Sequence, residues 1–194
     1  MSETKPARHA EDRRVRRTKK MLLQALTTLL REKPVKDITV RELADLADVN
    51  RGTFYLYYRD VYDMLDQVES ELFNQFETLL TAHHHEMITG TKNFLLDLFT
   101  FIEENKELCG ALLNINGDIS FVLHLNEVLR KECMEEWKAV RGDIIETGFD
   151  YHYTFVVFGC IGLVHTWVNN GCQEPAEDMA DLADRLIQHG SIPG

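Results

Sequence analysis

Three features of the sequence predict an all-α chain. Apolar residues recur at three- and four-residue spacing from Leu22 to Ile187, the period of a helix with one buried face. No segment holds the two-residue alternation of a half-buried strand. Pro34, Gly90, Gly117, Gly171 and Pro175 fall between the periodic segments, where helices stop and start. About nine helices are expected over the 194 residues, and an apolar fraction of 44% suffices to give them cores.

Residues 1–12 are polar and read as a mobile arm. A first helix from about Arg13 to Glu32 carries the stripe Leu22, Leu26, Leu29 and Leu30, and Pro34 stops it. Thr39 with Glu42 three positions on is the pairing of a capping box, and Leu43, Ala44, Leu46 and Ala47 form the apolar face that follows. In the turn, Asp48 and Asn50 tolerate left-handed or turn backbone, and Val49 plugs inward. Asn50 caps a third helix with Arg51, Gly52 and Thr53 in its first turn and with Phe54 and Tyr58 facing inward. A fourth helix begins near Asp60 and shows Val61, Leu65, Val68, Leu72, Phe76, Leu79 and Leu80 on one face.

His83, His84 and His85 point in different directions on a helix and read as a polar helix end rather than a metal site. Gly90 breaks the chain, and Thr91 to Asn105 is helical through Phe94, Leu95, Leu98, Phe99, Phe101 and Ile102. A short helix from Glu107 to Asn116 ends at Gly117, and Asp118 caps a longer one to about Val140. Arg141 to Gly148 reads as loop. Asp150 opens an apolar helix that ends at Asn169-Asn170-Gly171. Pro175 begins the last helix, with the stripe Met179, Leu182, Ala183, Leu186 and Ile187. The chain thus divides into a head over 1–60, a connecting helix over 61–82 and a body over 83–194.

The segment from Ile38 to Arg59 has the layout of a helix-turn-helix, whose second helix enters the DNA major groove. Arg51, at the start of that helix, suits the guanine O6 and N7 acceptors or a phosphate. Gly52 lets backbone approach backbone. Thr53, Tyr55 and Tyr57 offer hydroxyls to phosphates. Charge supports the reading. Residues 1–59 hold 14 Lys and Arg against 8 Asp and Glu, a net of +6, within a chain whose formal charge is −11. A basic head on an acidic body suits a protein that lands on DNA one way round.

At these residues the chain resembles the TetR (tetracycline-repressor-like) family of bacterial transcription regulators. The family pattern Gly-Thr-Phe-Tyr-x-Tyr-Phe, followed by a Lys that opens the next helix, here reads Gly52-Thr53-Phe54-Tyr55-Leu56-Tyr57-Tyr58-Arg59-Asp60-Val61. The match covers about Arg17 to Leu80. It implies DNA contacts from Thr39, Arg41, Asn50, Arg51, Thr53, Tyr55 and Tyr57. Two positions depart from the pattern. The turn glycine is Asp48, and the phosphate-holding Lys is Val61, with Arg59 two residues earlier as its substitute.

The last two helices carry apolar residues that suit either an intrachain core or a four-helix bundle with a second copy: Phe155, Phe158, Gly159, Gly162 and Val168 on one, Leu182 and Leu186 on the other. One helix-turn-helix reads only a half-site, which favours the homodimer. The resemblance places the dimer interface on the same helices. It also implies a small-molecule pocket in the body, for which Phe99, Phe121, His124, Trp137, Tyr151, Phe155 and His165 are the candidates, although an aromatic at helical spacing is more often plain core. The C-terminal half, FGCIGLVHTWVNNG with a Pro-initiated helix after it, loosely resembles regulators of dihydroxyacetone kinase operons. Some of those activate or work through a protein partner.

Enzyme chemistry finds no support. There is no Gly-rich phosphate loop, zinc-type His-Glu pair or nucleophile elbow, so no catalytic residue, metal or cofactor is expected. Glu103-Glu104 and Glu135-Glu136 face apart on a helix and read as solvated surface. Cys109, Cys133, Cys160 and Cys172 lack metal spacing and read as reduced thiols of a cytoplasmic protein. The N-terminus is no signal peptide, and the apolar run from Thr154 to Val168 falls short of the roughly 20 residues of a membrane span. The expected protein is a ligand-responsive repressor that binds a palindromic operator as a dimer. An activator, or a dimeric co-regulator of the same fold with a protein partner, is the alternative.

Overall fold

The computed structural model describes residues 5–83, 91–113, 119–141 and 146–189. Among them it contains nine α-helices, one 3-10 turn at Val35–Asp37 and no strand. The helices are α1 (Lys5–Glu32), α2 (Val40–Leu46), α3 (Arg51–Phe54), α4 (Val61–Ala82), α5 (Thr91–Glu104), α6 (Lys106–Leu112), α7 (Ile119–Arg141), α8 (Glu146–Asn169) and α9 (Ala176–His189). The expectations for His84, His85, Gly90, Gly117 and Asp118 lie outside the described residues.

The chain falls into two compact units, one up to Ser70 and one from Glu71 onward. The first is built on α1, whose Leu22, Ala25, Leu26, Leu29 and Leu30 are buried in one stripe. Leu43 and Ala44 of α2, Phe54 of α3 and Val61, Met64, Leu65 and Val68 of α4 are buried with them, as are Ile38, Ala47 and Tyr58. Helix α1 begins at Lys5 rather than near Arg13. The stretch from Lys5 to Asp12 lacks an apolar stripe, which hid it, yet Ala, Arg and Glu are good helix formers and Pro6 is tolerated in a first turn. Leu46, expected on the inner face of α2, is 52% exposed.

In the second unit α5 packs along α9 and α8 packs against α5, α6, α7 and α9. Thr91, at the start of α5, hydrogen-bonds the Asp184 carboxylate on α9, and Lys92 pairs with Asp181 at 2.8 Å. Phe99 is 1% exposed and meets Trp167 edge-on at 5.4 Å between centroids. The Trp167 indole N–H donates to the Glu174 carbonyl at 3.0 Å, which ties the chain after α8 back onto it. The reversal there uses left-handed backbone at Gly171 (φ 83°) and Cys172 (φ 54°). A second core joins Phe149, Tyr153 and Val157 of α8 to Leu129, Cys133, Met134 and Trp137 of α7.

Helix α8 starts at Glu146, four residues before Asp150, so Gly148 is helical rather than loop. Glycine weakens a helix without ending it, and Phe149 in the next position is 2% exposed, which anchors the first turn. The placement of Phe99 makes it a core residue. Phe99→Ala is expected to cost about 3–5 kcal/mol of unfolding free energy, read from the urea midpoint of the full chain.

Candidate functional site

The helix-turn-helix is fixed from its caps inward. Thr39 Oγ1 accepts the Glu42 backbone N–H at 3.2 Å, while a Glu42 carboxylate oxygen accepts the Thr39 backbone N–H at 3.1 Å. Lys33 Nζ reaches the other Glu42 oxygen at 2.6 Å. These partners, Lys33 foremost and Thr39 next, draw the Glu42 carboxyl down from 4.5 to about 2. Helix α2 ends at Ala47, and Asp48 takes left-handed backbone at φ 52° in the turn. An aspartate tolerates that region because its short polar side chain bonds locally, so its replacement of the family glycine leaves the turn intact. The Val49 N–H returns to the Ala44 carbonyl at 3.0 Å. Asn50 Oδ1 then accepts the Gly52 N–H at 2.7 Å and caps α3. A Cβ on Gly52 would stand 3.2 Å from that oxygen, so the glycine keeps the cap undisturbed.

Helix α3 has only four residues, and its side chains divide by burial. Phe54 is fully buried, and Tyr58, just past the helix, is 5% exposed. Asn50, Arg51 and Gly52 are exposed, Thr53 and Tyr57 are half-buried, and Tyr55 is 58% exposed. Lys19 of α1 lies over the rings of Tyr57 and Tyr58 at 6.0 and 5.8 Å, a cation–π contact that steadies them. On α2, Thr39 and Arg41 are exposed, with Arg41 in a loose pair with Asp45 at 3.7 Å.

The two departures from the family pattern have different consequences. Val61 is 3% exposed and belongs to the core of the first unit, so no phosphate contact can come from it. Arg59 is on the surface, but its guanidinium donates to Asp63 at 2.9 and 3.1 Å and its backbone N–H donates to the same carboxylate at 2.8 Å. Any phosphate at Arg59 has to compete with that pair.

The second unit holds a partly open cavity of about 160 Å³. Leu72, Phe73 and Phe76 of α4, Leu95 and Leu98 of α5, Phe121, Leu125, Leu129 and Cys133 of α7, and Val157, Cys160 and Ile161 of α8 are among its walls. Burial pushes Cys109 and Cys133 up to about 12 and Cys160 to about 11, so the thiols are neutral and the walls carry no charge. Such thiols are packing groups rather than nucleophiles. Of the seven residues expected around a pocket, Phe121 lines it. Phe99 is core against Trp167, and Trp137 joins the Phe149 cluster. His124 is exposed and stacks on Phe73 at 4.1 Å. His165 is exposed, with one ring nitrogen 3.0 Å from the Asn169 amide. Tyr151 and Phe155 are 77% and 68% exposed. Aromatic identity did not separate wall from surface, because α8 is apolar on two faces.

The outer face of α8 carries Tyr151, Phe155, Phe158, Gly159, Gly162 and Thr166 at helical spacing, all exposed. With Ala183, Leu186 and Ile187 of α9, Phe155, Gly159, Gly162 and Thr166 line an open groove. Leu182 and Leu186 are half-buried. Val168 is 7% exposed and faces its own unit, which removes it from this surface. Among the described residues, no atom lies within 4 Å of a Cβ built at Gly159 or Gly162. Among the described residues no helix is long and apolar enough to cross a membrane.

Two family models match the chain. Residues 22–68 match the bacterial regulatory proteins of the tetR family, and residues 89–189 match a transcriptional regulator C-terminal region. The chain belongs to the tetR family of bacterial regulatory proteins and is a helix-turn-helix transcriptional regulator. A curated relative from Bacillus subtilis (strain 168), the uncharacterized HTH-type transcriptional regulator YxbF, is 26% identical over 99 residues. That alignment takes in 47% of this chain and 25% of the relative, so the chain spans about a quarter of the length of the protein it matches.

Solved structures share the fold across nearly the whole chain. The fatty acid degradation regulator FadR from Bacillus halodurans superposes with a TM-score of 0.63 at 15% identity, covering 97% of this chain and 98% of that one. FadR from Bacillus subtilis, solved in complex with stearoyl-CoA, gives 0.59 at 18% identity over 89% and 98%. The dihydroxyacetone kinase operon activator DhaS gives 0.56 at 18% identity over 89% and 95%.

The caps make two predictions. Thr39→Ala is expected to lower the stability of the chain by about 1 kcal/mol, measured by urea unfolding at neutral pH. Glu42 ionises more readily folded than unfolded, so its contribution is complete above about 4.5 and fades as pH falls towards 2. The gap in urea midpoint between wild type and Glu42→Gln should therefore close over that range.

Proposed function

We propose that this regulator binds a palindromic operator as a homodimer and acts as a repressor whose grip on DNA responds to a small apolar effector. The observation that carries the reading is the outward set of Asn50, Arg51, Thr53, Tyr55 and Tyr57 beside a capped turn, on a head with a net charge of +6. Arg51, in the first turn of α3, reads a base edge, and Thr53, Tyr55 and Tyr57 hold phosphates with Thr39 and Arg41 from α2. Gly52 admits the DNA backbone, and Arg59 adds a phosphate contact in exchange for Asp63.

Residues 61–82 serve as the connecting helix and 83–194 as the sensing and dimerising part. The groove around Gly159 and Gly162 is the dimer face, since the bare glycines serve no packing inside the chain and permit close helix approach. The apolar cavity is the effector site, a reading supported by a solved relative of the same fold that holds an acyl-CoA. Repression needs no surface beyond the two heads, because a dimer seated on its operator excludes other proteins. Activation, or a co-regulator role in the cytoplasm, needs in addition a protein partner, and the loss of the usual Lys at Val61 favours that second reading.

Selection of the purified full chain against random duplex DNA across a salt series tests the proposal. Enrichment of a palindrome is expected, with a salt slope that counts the phosphates engaged. Weak salt-sensitive binding without enrichment would point to the co-regulator. Once a site is known, Arg51→Ala should cost about 1–3 kcal/mol on it and relax specificity at one base. Tyr57→Phe should weaken cognate and scrambled DNA alike. Light scattering should give twice the chain mass for wild type and one chain mass for Gly162→Trp, with helical circular dichroism unchanged. A Gly162→Trp dimer would remove this face from the interface.

A further inference from the structure

We propose that Glu136 anchors the charged end of an apolar, amine-bearing effector whose hydrocarbon part fills the body cavity. The inference rests on the cavity being the effector site. Glu136 was expected on the surface beside Glu135. Glu135 is exposed, whereas Glu136 is 3% exposed, and no described residue donates a hydrogen bond to either of its oxygens. A buried carboxylate without a partner is expensive, far more so than the apolar residue that would fill the same space. A chain that keeps one has a use for it.

Its position says which use. Leu125, Leu129 and Cys133 step along one face of α7 and line the cavity. Glu136 is seven residues after Leu129 and therefore falls in the same stripe, one turn past the wall at Cys133. The Cys133 thiol feels the nearby Glu136 carboxylate, which adds to the upward push of burial. The cavity itself offers neutral thiols and hydrocarbon, with Thr91 the one hydroxyl among its walls. Glu136 is not itself one of those walls, so a ligand whose hydrocarbon part fills the cavity would meet it with a polar end that extends past Cys133. A carboxylate ligand would set two like charges together. An ammonium would neutralise the buried charge and hydrogen-bond both oxygens. A volume of about 160 Å³ suits a ring or a medium-length chain.

The test compares octylamine, octanol and octanoate, below their micelle concentrations, on the intact full-length protein. Binding is followed by thermal unfolding and by the fluorescence of Trp137, which neighbours Glu136 and packs on Phe149 and His152. Octylamine is expected to bind at least about tenfold more tightly than octanol, with octanoate weakest. Glu136→Gln should erase that order, because a neutral amide cannot form an ion pair with the ammonium. Glu104→Gln, at an exposed acid, should leave it unchanged. Leu129→Trp fills the cavity and leaves the carboxylate in place, so octylamine and octanol should both be lost. Octylamine binding retained in Leu129→Trp would put the amine on the acidic surface and overturn the assignment. Equal affinities in wild type, or an order that survives Glu136→Gln, would overturn it too. Failure of all three ligands to bind wild type would overturn the cavity reading itself.

Discussion

Helix α3 is four residues long, too short to hold itself together, since the first turn of a helix costs more order than its hydrogen bonds return. Everything the recognition surface does depends on what holds that turn from outside. Phe54 is fully buried and fixes the rotation of the helix. The Asn50 cap fixes its start, and the left-handed Asp48 fixes the angle at which the chain arrives. With Phe54 and Tyr58 committed inward, Arg51, Thr53, Tyr55 and Tyr57 have no inner site to compete for. Burial of two aromatic rings thus decides which side chains are left outside as the proposed DNA contacts.

The same logic governs α8 at larger scale. Phe149, Tyr153, Val157, Val164 and Trp167 are buried in the second unit, while Tyr151, Phe155 and Phe158 are left on the outside. A single chain buries one of these faces. The other keeps a row of large apolar groups flanking two glycines with open space around them. A surface of that kind is stable in water when a second helix pair covers it. Retaining Gly159 and Gly162 in the middle of a helix costs stability in the isolated chain, and the close helix crossing of the proposed dimer would offset it.

The interior of the second unit sets a different balance. The cysteines of the cavity wall, with thiols raised by their surroundings, act as small apolar groups and soften it. Glu136 is the exception among them, a carboxylate kept where hydrocarbon would be cheaper. Ligand recognition in an apolar pocket usually turns on a few well-placed polar groups. Under the proposal, a single acid in the stripe of α7 would supply one.

By itself the sequence determined the class of fold, the order of the helices, the capping box at Thr39, the cap at Asn50 and the inward turn of Phe54 and Tyr58. These are local matters, set by spacing over one or two turns and by what a cap or a φ angle permits. It did not determine where α1 and α8 begin, because stretches without an apolar stripe, or with a glycine in the first turn, carry no periodic signal. Nor did it separate wall, core and surface on α7 and α8. Phe99, Tyr151, Phe155 and Glu136 have the same local patterns whether they face a cavity, a core or water. Only the packing of α5, α7, α8 and α9 around one another decided that, since a helix that is apolar on two faces can be rotated to bury either.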